Sequence, residues 1–204
     1  YFVEENPRSF GLMQRDRDFD AYQDAHAQYE KRPSLLIEPA GDWGKGAVRL
    51  VEIPTELEAN DNIVAFWVPE AKVQAGEMRE FAYKMRWGMM EPDWNQDLAF
   101  IYETRAGVGG VSGVENTDGS RKFVVDFGGG LLATLPDNAL VEAVVNISGG
   151  EVLSQTLSKI PGQPIWRLVI DLKGAKDSVV EMGAHVKGYG RKLTENWLYQ
   201  WIVA

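Results

Sequence analysis

Three features of the sequence predict an all-β protein. Apolar residues alternate with polar ones or run in short stretches, which is the pattern of β-strands. Glycine, proline and Asp-Gly turns separate these stretches at near-regular intervals. No βαβ alternation, heptad or internal repeat is present. A chain of 204 residues can bury the cores of two modest domains, so we expect two β domains in series, each of two layers.

The first half is predicted to hold an irregular set of strands around a long loop. The apolar run 63–68 is typical of a strand buried on both faces. Residues 20–30 are rich in alanine and glutamine and are expected to form one or two helical turns, which Pro33 ends. The strands that we expect are 10–19, 34–37, 47–54, 63–68 and 78–87.

The second half is predicted to be an immunoglobulin-like sandwich, because seven short strand patterns follow one another with turn residues between them. Asp118-Gly119 and residues 148–150 are expected to close hairpins. The glycine run 128–130 has no lysine and no helix pattern after it, so it is not a phosphate loop. The domains are expected at 1–90 and 97–204, with a linker at 91–96. The seven strands are 98–104, 122–127, 140–147, 152–157, 165–172, 179–187 and 196–203.

Composition excludes several functional classes. The chain has 21 Lys and Arg against 30 Asp and Glu, a net charge of −9, which disfavours nucleic acid and anionic membranes as partners. No apolar run approaches the roughly 18 residues of a membrane helix. There is no cysteine and only His26 and His185 as histidines, so we expect no thiolate or histidine-rich metal site. No organic cofactor is implied. Because the chain starts at Tyr1 without Met, we expect upstream sequence to be missing.

Two islands between residues 14 and 46 point to carbohydrate binding. In the first, guanidinium and carboxylate groups that alternate along a strand could hydrogen-bond sugar hydroxyls. The alternative is a solvated ladder of ion pairs on a sheet edge. The candidate residues are Arg15, Asp16, Arg17 and Asp18, with Tyr22 close by.

In the second island, Asp42 lies between Gly41 and Trp43. Partial desolvation by Trp43 would raise the pKa of this carboxyl and make it a candidate general acid, while Trp43 itself could form an aromatic wall for a sugar. The alternative, which spacing alone favours, is an Asx turn. Trp87 and Trp94 flank a loop that could cover a cleft; equally, Trp94 could pack into a domain interface.

Three motifs carry a family resemblance. They are Gln14-Arg15-Asp16-Arg17-Asp18-Phe19, Gly41-Asp42-Trp43-Gly44-Lys45-Gly46 and Asn60-Asp61-Asn62-Ile63-Val64-Ala65-Phe66-Trp67. In this order they resemble the osmoregulated periplasmic glucan biosynthesis proteins of the G/D family of Gram-negative bacteria, over essentially the whole chain. The resemblance implies the last part of a large galactose-mutarotase-like β-sandwich, then an immunoglobulin-like domain, in a periplasmic protein.

The resemblance also implies a substrate and roles for the islands. The family acts on the β-1,2-linked backbone of periplasmic glucans and resembles glycoside hydrolases for β-1,2-glucan. Asp42 would then be the general acid, the first island and Tyr22 would hold sugar hydroxyls, and Trp87 or Trp94 would belong to the covering loop. An inverting enzyme needs a second carboxylate about 6.5–9.5 Å away, and we expect it upstream of Tyr1.

A second hypothesis remains open beside the enzyme. The protein could be a non-catalytic glucan-binding assembly factor whose second domain meets the inner-membrane glucan synthase. The sequence does not distinguish hydrolysis from transglycosylation or branching, or a G-type from a D-type member. It also leaves open whether the protein forms a homodimer.

Overall fold

A computed structural model describes residues 2–3, 6–53, 55, 57, 59–60, 63–111 and 113–203 of the protein. Over these residues the secondary structure is almost entirely β-strand, which confirms the predicted all-β class. The helical elements are at most five residues long, and none of those described is long or apolar enough to span a bilayer. The chain divides into two compact units, Tyr1–Glu91 and Pro92–Ala204.

The first unit contains two antiparallel sheets of three strands each. One has the order β1-β4-β5 and the other the order β2-β3-β6. The connection from β2 to β3 (residues 13–33, the β2–β3 loop) holds a short helix α1 and a 3₁₀ turn. The strands are β1 (Phe2–Val3), β2 (Phe10–Leu12), β3 (Ser34–Ala40), β4 (Gly46–Glu52), β5 (Ile63–Pro69) and β6 (Ala82–Gly88), with α1 at Phe19–Tyr22 and the 3₁₀ turn at Tyr29–Lys31.

The strand predicted at 10–19 is wrong beyond Leu12. Asp16 Oδ1 accepts a hydrogen bond from the Asp18 amide at 2.9 Å, and Asp18 Oδ1 accepts one from the Asp20 amide at 3.0 Å. Such local bonds compete with strand pairing and turn the chain instead. The charges of the first island therefore do not alternate between two strand faces. The helical turns expected within 20–30 are present as α1 and the 3₁₀ turn.

The expectation that residues 63–68 are buried on both faces is also wrong. Ile63 is 43% exposed, Val64 44% and Phe66 39%. Burial of a strand face requires another layer packed against it, and among the described residues no buried hydrophobic side chain lies in this unit. Every buried hydrophobic side chain among the described residues lies in the second unit.

The second unit contains two antiparallel sheets of four strands each. The first has the order β10-β11-β8-β7; in the second, β12 pairs with β9 on one side and with β13 and β14 on the other. All seven predicted strands are present, and the two-residue β13 is additional. The elements are β7 (Phe100–Val108), β8 (Arg121–Gly128), α2 (Gly130–Thr134), β9 (Val141–Ser148), β10 (Gly150–Lys159), β11 (Ile165–Gly174), β12 (Val179–Gly188), β13 (Arg191–Lys192) and β14 (Trp197–Ile202).

One hydrophobic core joins the two sheets of the second unit. Alternate residues of β8, β11 and β12 point inward, as period-two patterning requires. This packing of two inner faces is consistent with a β-sandwich. The fully buried contributors include Phe123, Val125 and Phe127 of β8, Leu168, Ile170 and Leu172 of β11, and Val180 and Val186 of β12.

Two turn predictions in the second unit need correction. Residues 148–150 do not close a hairpin, because β9 and β10, which they join, lie in different sheets. A short helix does follow the glycine run 128–130: Gly129 and Gly130 have φ of 73° and 60°, which turns the chain into α2 and buries Leu132. Asp118-Gly119 lies between the paired strands β7 and β8, as expected.

Candidate functional site

Gln14 organises the β2–β3 loop. Its backbone amide donates to Ser34 Oγ at 3.0 Å, and its side-chain Nε2 donates to Tyr22 Oη at 2.5 Å and to the Tyr29 carbonyl at 3.3 Å. These bonds tie the start of the loop to its middle and to the first residue of β3. The loop is therefore a folded element with its own hydrogen bonds.

Arg17 fastens the same loop to two other segments. Its Nη1 donates to the carbonyls of Glu30 and Arg32, and its Nη2 donates to the Met89 carbonyl at 2.8 Å. Nη2 also lies 3.3 Å from Ser34 Oγ. Backbone carbonyls thus take up much of the donor capacity of this guanidinium. Arg17 therefore holds the loop against Met89, the residue that follows β6. Its neighbours Asp16 and Asp18 are exposed to solvent.

Asp16 and Asp18 use one carboxylate oxygen each within the loop. Both accept backbone amides two residues ahead, and the bond to Asp18 caps α1. Both side chains are exposed, as is that of Arg15. The second oxygen of each carboxylate can still accept hydrogen bonds from a ligand.

An aromatic stack adjoins these carboxylates. The rings of Tyr22 and Tyr29 stack with centroids 5.9 Å apart, and the Arg32 guanidinium lies 4.1 Å from the Tyr29 centroid. Burial, and then the negative charge of Asp16, raises the pKa of the Tyr22 hydroxyl, so it is protonated at neutral pH. This hydroxyl donates to the Asp16 carbonyl at 3.2 Å. The stack offers apolar ring area beside polar groups, a combination suited to sugars.

Glu30 is a buried acid that the sequence did not single out. It is 9% exposed, its Oε1 lies 3.8 Å from Lys31 Nζ, and its Oε2 has no hydrogen-bond partner among the described residues. The sequence analysis also assigned no role in the site to Gln14, Arg32 or Ser34. Their roles depend on contacts across the loop, and the only local signal is the helix-ending Arg32-Pro33.

Asp42 lies in a turn between β3 and β4. Its Oδ1 accepts the Gly44 amide at 2.6 Å, and the side chain is exposed. Gly41 and Gly44 have φ of 88° and 72°, conformations that favour glycine. The bond is that of an Asx turn and uses Oδ1, so Oδ2 has no partner among the described residues and can accept a hydrogen bond from a ligand.

Trp43 belongs to an aromatic cluster. Its ring lies 5.4 Å from Phe81 and 6.1 Å from Trp67, and its Nε1 donates to the Ala82 carbonyl at 3.0 Å. Phe10 and Tyr83 complete the cluster at 6.0 and 6.3 Å. These partners come from both sheets of the first unit. Trp43 therefore stabilises the Asp42 turn by packing. Its half-buried ring is not a fully exposed surface on which a sugar could stack.

The two islands lie at opposite ends of β3. The β2–β3 loop enters the strand at Ser34, and the Asp42 turn leaves it after Ala40. At about 3.3 Å per residue, these strand ends are roughly 20 Å apart. Trp87 pairs with Leu35, near the loop, and is 63% exposed. The first island and Trp87 therefore share one end of the sheet, and Asp42 and Trp43 the other.

Trp94 belongs to the second unit. Its ring meets Phe100 at 5.1 Å and Tyr102 at 5.7 Å, and a side chain at Gly128 would collide with it. It is 42% exposed. Within the described part of the chain, no group of three or more His, Asp or Glu side chains could hold a metal ion.

The fold and the loops define an all-β protein of two units with charged and aromatic loops at the ends of one sheet. The family model described as "Periplasmic glucan biosynthesis protein, MdoG" matches residues 1–201. The chain therefore belongs to the MdoG family of periplasmic glucan biosynthesis proteins, and the resemblance found in the sequence is confirmed.

Individual relatives agree with this family. The chain is 61% identical over 204 residues to "Glucans biosynthesis protein G" of Cereibacter sphaeroides, with all of this chain covered. It is 44% identical over 202 residues to "Probable glucans biosynthesis protein D" of Shewanella oneidensis, and 46% identical over 207 residues to "Glucans biosynthesis protein D" of Xanthomonas oryzae pv. oryzae, each covering 98% of the chain. The chain spans 37–38% of the length of these relatives.

Proposed function

We propose that the protein acts in the periplasm on the β-1,2-linked backbone of glucans, as part of a glycoside-hydrolase-like site that hydrolyses or transfers sugar units. Family membership and the names of the relatives support the role in glucan biosynthesis. The observation that carries the chemistry is Asp42: an exposed carboxylate with one oxygen fixed by the Gly44 amide and the other directed to no partner in its turn.

In this proposal Asp42 protonates the oxygen of the leaving sugar. Trp43 holds the turn in place through its aromatic partners and its bond to Ala82. A water-activating carboxylate about 6.5–9.5 Å away completes an inverting site. Glu30 does not meet that requirement, because it lies in the loop at the other end of β3. We expect the second carboxylate in the portion of the family protein that this chain does not cover.

The β2–β3 loop then binds the glucan away from the cleaved bond. The separation of roughly 20 Å along β3 is too long for one sugar and suits a chain of several units. Asp16, Asp18 and Arg15 would meet hydroxyls, Tyr22 and Tyr29 would stack on sugar rings, and Trp87 would cover the same end. Arg17 would act indirectly, by holding the loop.

The two units have distinct places in this proposal. The first would be the last part of a galactose-mutarotase-like sandwich, which its two antiparallel sheets support. The second would be an immunoglobulin-like domain, which its seven main strands in two packed sheets support.

The test is digestion of β-1,2-glucan by a chimera in which residues 1–204 replace the matching segment of the Cereibacter relative. Asp42→Asn should abolish the production of reducing ends and retain glucan binding. Asp20→Asn, which removes the same charge from another exposed carboxyl of the first unit, should leave turnover unchanged. Unchanged turnover by Asp42→Asn would refute the acid role.

A second candidate function is that of a non-catalytic assembly factor which binds glucan and meets the membrane glucan synthase. The Asx-turn geometry of Asp42 favours it, because such turns are common structural devices. It predicts that the unsubstituted chimera binds β-1,2-glucan without releasing reducing ends. Substitutions of Asp16, Tyr22 or Tyr29 would then weaken binding, whereas Asp42→Asn would not.

A further inference from the structure

A tight hairpin in the second unit gathers basic side chains. Tyr189 and Gly190 have φ of 54° and 74°, as in the two-residue turns that join antiparallel strands with matching twist. The turn pairs Gly188 with Arg191 and Lys187 with Lys192. Paired residues share a sheet face, so Lys187 and Lys192 lie side by side.

The same face carries a carboxylate and a histidine. On the other side of β12, Lys187 pairs with Glu142 of β9, and its Nζ lies 2.7 Å from Glu142 Oε1. His185 is two residues before Lys187 and is half-buried on that face. Together these residues and the turn line an open cavity of about 670 Å³.

The charges of this cavity do not balance. Lys187, Arg191 and Lys192 supply three positive charges, and Glu142 supplies one negative charge. Glu142 is engaged by Lys187, and Lys192 Nζ donates to the neutral Asn196 Oδ1 at 2.7 Å. Arg191 is exposed and forms no ion pair within the described residues. Two positive charges thus remain uncompensated, on a chain whose net charge is −9.

We propose that this hairpin cavity binds a phosphate group. A phosphate monoester carries about −1.5 to −2 charges at neutral pH and three acceptor oxygens, which matches the two uncompensated charges and the donors of Arg191, Lys192 and His185. Of the possible sources, the net charge of −9 favours a small phosphate compound over an anionic membrane, because the rest of the chain would be repelled. The inference does not depend on the proposed glucan activity.

His185 reports occupancy of the cavity. Burial, and then the positive charges of Lys192 and Lys187, lower the pKa of His185 below its usual range. The charged groups that act on His185 are Lys192 on the hairpin and Lys187 on its own strand, and Arg191 and Glu142 line the same cavity. A bound phosphate adds negative charge and favours the imidazolium, so binding should raise the pKa of His185 and strengthen as the pH falls.

The test is an NMR titration of the 204-residue chain with inorganic phosphate at constant ionic strength. We expect saturable shifts confined to the cavity and a higher His185 pKa with phosphate than with chloride. Arg191→Ala and Lys192→Ala should each weaken the affinity roughly tenfold, the loss expected for one charge-assisted hydrogen bond. Lys176→Ala, which removes an exposed charge elsewhere in the same unit, should not change it.

Two further arms separate the sources of phosphate. Sedimentation with phosphatidylglycerol vesicles, compared with phosphatidylcholine vesicles, tests a lipid headgroup. If the protein binds inorganic phosphate but not the vesicles, the ligand is a small phosphate compound. If it binds phosphatidylglycerol vesicles and Arg191→Ala abolishes that binding, the ligand is a lipid headgroup. Non-saturable shifts spread over the surface, or equal losses in Lys176→Ala and Arg191→Ala, would overturn the proposal; the amide spectrum of each variant checks that it is folded.

Discussion

Asp126→Asn should destabilise the second unit substantially. Asp126 lies on β8, is 2% exposed, and receives a two-bond contact from Arg167, with Nε–Oδ1 at 2.7 Å and Nη2–Oδ2 at 2.8 Å. Arg105 adds a bond to Oδ2 at 3.0 Å. The substitution removes the buried charge that both guanidiniums contact and places an amide group where a second acceptor is needed.

The magnitude follows from burial. Removing one partner of a buried ion pair costs about 3–5 kcal/mol. Here the Arg105 and Arg167 side chains are 49% and 38% exposed and can regain water, so we expect a smaller loss of about 2–4 kcal/mol. With a urea slope of about 2 kcal/mol/M, the unfolding midpoint should fall by roughly 1–2 M.

The pH dependence gives a second check on Asp126. Burial by itself would raise its pKa, but the hydrogen bonds from Arg167 and then Arg105 outweigh burial and leave the pKa below its usual value. A carboxyl with a lowered folded pKa contributes stability that is fully present above its unfolded pKa, about 3.9, and is lost as the pH falls through the folded pKa. The difference between wild type and Asp126→Asn should therefore shrink below about pH 4.

The assay is urea unfolding followed by tryptophan fluorescence, since Trp166 and Trp197 are buried in the same unit. Asp137→Asn is the matched control: it removes an exposed acid of the second unit and should change stability by no more than about 0.5 kcal/mol. An Asp126→Asn midpoint equal to that of the wild type at pH 7, or a difference that stays constant into acid, would refute the reasoning.

Two further variants test the first unit. Arg17→Ala should speed hydrogen exchange of the β2–β3 loop amides, because it removes the bonds to three backbone carbonyls. Arg17→Lys should restore little of the protection, because lysine has a single donor group. Arg8→Ala, which removes an exposed guanidinium, should leave exchange unchanged. Gly46→Ala would place a Cβ 2.3 Å from the Trp67 ring and should lower the free energy of unfolding, measured by thermal unfolding, by about 1–3 kcal/mol. Gly107→Ala is the control, because a Cβ there meets nothing within 4 Å. Equal losses in the two variants would contradict a steric clash at Gly46.

The second unit was the more predictable part of the fold. Its strands alternate because each has one face in a shared core, so residues such as Phe123, Val125 and Phe127 mark the strand directly. Which strands pair with each other was harder to predict from the sequence. Residues 148–150 have the turn chemistry of a hairpin, but such chemistry does not specify whether the next strand stays in the same sheet.

The first unit was less predictable, for two physical reasons. In the first island, side-chain bonds to nearby amides overrode the strand pattern of alternating Arg and Asp. In the run 63–68, apolar composition indicated burial, but burial depends on what packs against the faces of a strand, and Ile63, Val64 and Phe66 of β5 are exposed.

The motifs single out the candidate residues, which stay a prediction, but they do not show which contacts those residues make. Arg17 was expected to hold sugar, and its contacts instead reach Met89, 72 residues away in sequence. No local pattern encodes such a partner. The assignment of Asp42 as general acid stays a prediction, because the hydrogen bond to Gly44 serves a structural turn and a catalytic carboxyl equally well.

The uneven distribution of buried side chains has a thermodynamic consequence. Because every buried hydrophobic side chain among the described residues lies in the second unit, the exposure of apolar surface on unfolding is concentrated there. The heat-capacity increment of unfolding scales with that exposure. Opening of the second unit therefore dominates the temperature curvature of the stability of this chain, whereas opening of the first unit contributes a flatter component whose stability changes less on cooling.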